Sequence, residues 1–132
     1  PLGFFTNFVL EKNRNELDLK KGGIFPIVHG VRSLALEYRL PQSNTVDRIL
    51  ALSQRNLFQP SFGGELIEAF TYLSTLRTEA GLEKALRGLP QDNYLNPKSL
   101  NKLKRELLRD SFKIVNEFKK FITYHFKLGM IS

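Results

Sequence analysis

A chain of 132 residues, 42% of them hydrophobic, is long enough for one domain with a buried core and too short for two ordinary ones. It has no cysteine, which excludes disulfides and thiolate metal sites. No apolar run approaches the roughly 20 residues of a membrane span, and no signal-peptide pattern opens the chain, so the expectation is a soluble, cytoplasmic protein. The net charge of +7 is uneven: nine Lys and Arg face three acidic residues from Pro97 onward, against eleven and ten before it, so the basic character belongs to the last element.

Phe4, Phe5, Phe8 and Val9 recur at helical spacing, which predicts a short helix over residues 3–10. The polar stretch 11–16 reads as a loop. Leu17 and Leu19 then alternate with Asp18 and Lys20 in an extended approach to a tight turn at Gly22 and Gly23. From about Phe25 a helix is expected, with Pro26 in its first turn and an apolar face of Ile27, Val28, Val31, Leu34, Ala35 and Tyr38, running to Arg39 before Pro41 stops it. Ser43, Asn44 or Thr45 can cap a second helix, whose buried face is Val46, Ile49, Leu50 and Leu52 as far as Gln54.

Residues 61–87 carry an apolar stripe that includes Phe62, Leu66, Phe70, Leu73, Leu76, Leu82, Ala85 and Leu86, a long helix with glycines 63, 64 and 81 as weak points. Gly88 and Pro90 close it in the order expected at a helix C-terminus. Asn96 and Pro97 read as the cap and first-turn proline of a last helix to about Lys127, with Leu100, Leu103, Leu107, Leu108, Phe112, Val115, Phe118 and Ile122 on one face. No strand pattern of useful length occurs. The expected fold is all-α: an antiparallel four-helix-bundle-like domain of two long and two shorter helices plus the short N-terminal one, spanning residues 1–132 as a single domain. The start PLGFF, without a methionine, suits a piece of a longer chain.

Polar chemistry is densest between Asp18 and Tyr38. Lys20 and Lys21 before a helix N-terminus favour an anion, phosphate being the natural guest, and Arg32 adds a third cation. The plain alternative pairs a lysine with Asp18 and lets Arg32 bridge helices through Glu37 or Glu68. His29, one turn before Arg32, reads either as a local hydrogen-bonding group or as a ligand contact. Arg77 lies in a mostly apolar stretch and calls for a specific partner, either substrate or a carboxylate such as Glu68 or Asp92. Asp92 and Asn93 either cap a turn or border the same cleft.

Catalytic machinery is absent from this reading. The two histidines, His29 and His125, fall on separate helices, and neither a Walker loop nor a nucleophile elbow occurs. Glu16 and Asp18 are the nearest approach to a paired-carboxylate metal site, but they precede the glycine turn and sit beside two lysines, so no metal role is assigned. The basic last helix keeps its aromatics on the apolar face, away from its lysines, which makes nucleic acid an unfavoured partner.

The run LDLKKGGIFPIVHGVRSLAL, followed in order by Thr45 and Arg48 in NTVDRILAL, by Glu68, Ala69, Phe70 and Arg77 in EAFTYLSTLR, and by Asp92, Asn93 and Pro97 in QDNYLNPKSL, resembles the C-terminal domain of bacterial nucleotidyltransferase-like proteins. Longer members often carry cyclic-nucleotide-binding or CBS domains upstream. The resemblance covers nearly the whole chain and departs at two points: Gly81 stands where a glutamine tends to follow the arginine, and Gln91 replaces a proline. It implies a non-catalytic accessory domain that helps a transferase bind substrate or nucleotide, with Lys20, Lys21, His29, Arg32, Arg77, Asp92 and Asn93 as the substrate-binding set. Mg²⁺ and a nucleoside triphosphate would belong to the parent protein, whose upstream transferase domain is the implied partner. A helical interaction or dimerisation module is the alternative, with a homodimer left open.

Overall fold

The computed structural model describes residues 16–131, so the expected helix over residues 3–10 lies outside the described residues. Four α-helices follow in order: α1 (Phe25–Glu37), α2 (Thr45–Gln54), α3 (Phe62–Leu86) and α4 (Lys102–Ile131). Two two-residue strands, β1 (Leu17–Asp18) and β2 (Tyr94–Leu95), pair antiparallel with Leu17 opposite Leu95 and Asp18 opposite Tyr94. The fold is the all-α bundle expected from the periodicities, with this small ladder added at one end.

The helices form where the sequence marks them. Asn44 caps α2: its Oδ1 accepts from the Asp47 N–H at 2.9 Å, and its Nδ2 donates to the Asp47 carboxylate at 2.7 Å. Helix α3 runs unbroken through its three glycines. At 1.5 Å per residue α3 and α4 are about 37 and 45 Å long. They lie antiparallel, as shown by the Tyr72 hydroxyl donating to the Lys104 carbonyl at 2.7 Å while Glu65 shares a groove with Glu117. Burial, with the Glu79 carboxylate adding to it, raises the pKa of the Tyr72 phenol, so the group stays a donor in this cross-helix bond. Leu66, Leu73 and Leu76 of α3 meet Leu108, Phe112, Val115 and Phe118 of α4, and Ile27, Val31, Leu34, Ile49 and Leu52 close the core from the shorter helices.

Four expectations are corrected. A five-residue π-helical turn, Lys20–Ile24, replaces the tight glycine turn and runs straight into α1, with the Phe25 N–H donating to the Lys20 carbonyl. Gly23 serves packing there, since a Cβ on it would stand 2.9 Å from Leu73 Cδ1, whereas one on Gly22 would make an ordinary contact with the Phe112 ring at 3.6 Å. Helix α1 also ends at Glu37, because Arg39 takes a left-handed φ of 55°. The last helix starts at Lys102: Asn96 caps only a 3₁₀ turn, Pro97–Ser99, Leu100 is extended, and Asn101 caps again by accepting from the Lys104 N–H at 2.9 Å. Finally, Leu50, Leu82, Leu86, Leu103 and Leu107, assigned to buried faces, are exposed. Beyond Leu76 and before Leu108 the two long helices run past the layer formed by α1 and α2.

His125 is partly buried against Phe121 and Phe126, and its Nε2 lies 2.6 Å from Glu37 Oε1. This pair ties α4 to the end of α1.

Helices α1 and α4 approach closely at Gly30, where a Cβ would fall 2.6 Å from Phe118 Cε2 and 3.1 Å from Ile122 Cγ1, whereas nothing lies within 4 Å of a Cβ on Gly64. In urea melts Gly30→Ala is expected to lose about 1–3 kcal/mol by overpacking. Gly64→Ala, in the same measurement, is expected to gain up to about 1 kcal/mol from better helix propensity.

Candidate functional site

The loop between α3 and α4 returns to the start of the described chain and builds one end of the molecule. Its turn is local: Asp92 Oδ1 accepts from the Tyr94 N–H at 3.0 Å, the geometry aspartate favours in turns. Two cations on α3 hold it. Arg77 Nε donates to Asn93 Oδ1 at 2.6 Å, while Lys84 Nζ pairs with the Asp92 carboxylate and donates to the Tyr94 carbonyl at 2.7 Å. On the other side the Asn93 carbonyl accepts from the Leu19 N–H at 2.8 Å, and the β1–β2 ladder continues the contact.

Arg77 therefore has a specific partner, and it is the amide of Asn93 rather than a carboxylate. An amide oxygen leaves the guanidinium charge uncompensated, and Arg77 itself is exposed. Arg77, Asp92 and Asn93 line one open cleft of about 420 Å³ with Gly81, Leu82 and Gln91. The two positions where the sequence departs from the family pattern, Gly81 and Gln91, thus fall on the wall of this cleft. Lys84 was missed by sequence reasoning, yet the signal was present: it stands seven residues after Arg77, two turns along one helix face.

Lys20 and Lys21 are exposed on the π-helical turn, where they line a smaller cleft of about 260 Å³ with Asp18 and Phe25. The Lys21 N–H is taken by Asp18 Oδ1 at 2.8 Å, so a carboxylate of the chain already caps this helix start. His29 stacks on Phe25, ring centroids 5.5 Å apart, at the edge of the same surface. The Leu19–Asn93 bond joins the lysine turn to the Arg77 cleft.

Arg32 is not part of this group. It follows Lys20 by twelve residues of continuous helix, roughly 18 Å. It lines a third cleft, between α1 and α2, together with Thr45, Arg48 and Phe70. It makes no bridge to Glu37 or Glu68 among the described residues; Glu37 pairs with His125.

Among the described residues no three His, Asp or Glu side chains gather in a way that would hold a metal ion, and no helix is long and apolar enough to cross a membrane. The Arg77 end offers instead what anion recognition needs: fixed guanidinium and ammonium groups, amide groups and an adjoining ring. Lys84→Met keeps the aliphatic stem and removes its two polar contacts. It is expected to cost about 1 kcal/mol, since the ion pair is half open to water, and to speed hydrogen exchange at the amides of Leu19 and Tyr94 in NMR.

No curated protein and no solved structure matches the chain. A family model does, over residues 1–126, and its description is "Putative nucleotidyltransferase substrate binding domain". The match takes in the lysine turn, both arginine clefts and the Asp92–Asn93 loop, and by it the chain belongs to that family.

Proposed function

We propose that this domain is a non-catalytic accessory unit that presents substrate to the transferase domain of a longer chain, in the cytoplasm, with the Arg77 end of the bundle as its binding surface. The observation that carries this reading is convergence: residues distant in sequence, Lys20 and Lys21, Arg77, and Asp92 and Asn93, meet at one end through the Leu19–Asn93 and Arg77–Asn93 hydrogen bonds. In this reading Arg77 and the lysines attract an anionic substrate group. Asn93 fixes the arginine fork, Asp92 fixes the loop with Lys84, and the Phe25–His29 stack offers a flat apolar wall. Nucleotidyl transfer itself requires carboxylate-held Mg²⁺ at the triphosphate, which this reading assigns to the upstream transferase domain.

An interaction or dimerisation module is the second reading. It is favoured by Leu82, Leu86, Leu89, Leu103 and Leu107, all exposed near the ends of the two long helices that flank the same loop.

The test uses the intact transferase. Replacing Lys20 and Lys21 with Gln together, and separately Arg77 with Gln, is expected to raise the KM for the substrate about tenfold or more. The melting temperature should shift by only a few degrees, since exposed charges contribute about 0–1 kcal/mol each. Variants that melt far lower and lose activity only in proportion would mark these residues as structural braces. Light scattering that shows a concentration-dependent dimer, lost on Leu82→Lys with Leu86→Lys, would favour the second reading instead.

A further inference from the structure

The cleft between α1 and α2 is separate from the Arg77 end and has a different chemistry. Its volume is about 590 Å³, within the range of small-ligand pockets. Arg32 and Arg48 both line it, and no carboxylate does. Neither arginine has an acidic partner among the described residues. Arg48 is held in place by its Nε, which donates to the Gln42 carbonyl at 2.9 Å, so its terminal nitrogens are left for another acceptor. Two guanidinium groups around one cavity repel each other, and a dianion between them removes that cost.

The remaining lining sorts into two kinds. Ser43 and Thr45 supply hydroxyl groups beside the arginines, and the Thr45 and Val46 N–H groups belong to the first turn of α2, whereas Asn44 is already spent on the Asp47 N–H and carboxylate. Val28, Val46 and Phe70 supply an apolar wall. A free inorganic anion would use only the first kind. We propose that this cleft binds a small phosphate ester with a planar, apolar body, of the nucleoside monophosphate class, its phosphate between Arg32 and Arg48 and its body against Val28 and Phe70. The proposal stands apart from the function assigned to the Arg77 end, because the two clefts share no lining residue.

Calorimetric titration of the 132-residue chain with AMP, with inorganic phosphate and with adenosine tests it, alongside amide chemical shifts. The expected result is saturable binding of AMP, weaker binding of phosphate and of adenosine, and shifts at the Thr45 and Val46 amides with none at Asn93. Arg32→Gln, at an exposed residue without an acidic partner among the described residues, should weaken AMP about tenfold, whereas Arg87→Gln, at the C-terminal end of α3, should leave it unchanged. Thr45→Val should weaken AMP as well, by a smaller factor. Absence of saturable AMP binding would overturn the proposal, as would an Arg32→Gln variant that binds like the parent. Shifts centred on Asn93 would move the ligand to the Arg77 end and overturn it too. Phosphate binding as tightly as AMP would remove the apolar wall from recognition and overturn the ligand class.

Discussion

The pinning of the loop between α3 and α4 onto the lysine turn is the contact on which the functional end depends. The loop has no hydrophobic anchor of its own between Leu89, which is exposed, and Leu95, so polar bonds fix its shape. The Asn93 carbonyl reaches the Leu19 N–H, its side chain reaches Arg77, and Lys84 gathers the Asp92 carboxylate and the Tyr94 carbonyl. Each bond is modest in water. They act together because Leu17, Leu19 and Leu95, all buried, hold the backbone beneath them. Apolar burial thus supplies the stability of this end, and the polar groups above it supply its geometry.

Much of this fold was legible in the sequence because its signals were local. The Asn44 cap, the apolar stripes and the Gly88 stop each act within a turn or two, and α2 and α3 fall within a residue of where those signals put them. Asn96 and Pro97 misled because a cap followed by proline fits a 3₁₀ turn as well as an α-helix. What decided between them was the repeat of the same signal at Asn101. Gly22 and Gly23 misled for another reason: Gly23 admits the Leu73 side chain, and a contact across the core leaves no local mark.

The candidate site was legible as a list and not as a place. Arg77 and Asn93 were both singled out, but their bond to each other depends on how a long loop folds back. Arg32 was grouped with the lysines because it is near them in sequence, whereas continuous helix carries it past the middle of α1, beside Arg48. Amphipathic spacing likewise marked Leu82, Leu86 and Leu103 as core residues. Periodicity shows which face of a helix is apolar, but it does not show where along the helix the neighbouring layer ends.

The π-helical turn at Lys20–Ile24 carries one more residue per turn than the helix that follows it. That extra residue acts as a phase adjuster. An α-helix advances about 100° per residue, so loss of one residue from the turn would rotate everything upstream by about that angle relative to α1. Leu17 and Leu19 would swing away from the core, and Asp18 would lose its place opposite Tyr94. The turn therefore sets the angular register between the strand-like entry and the bundle, and the helical bundle holds its two-residue ladder through the count of residues in this one turn of backbone.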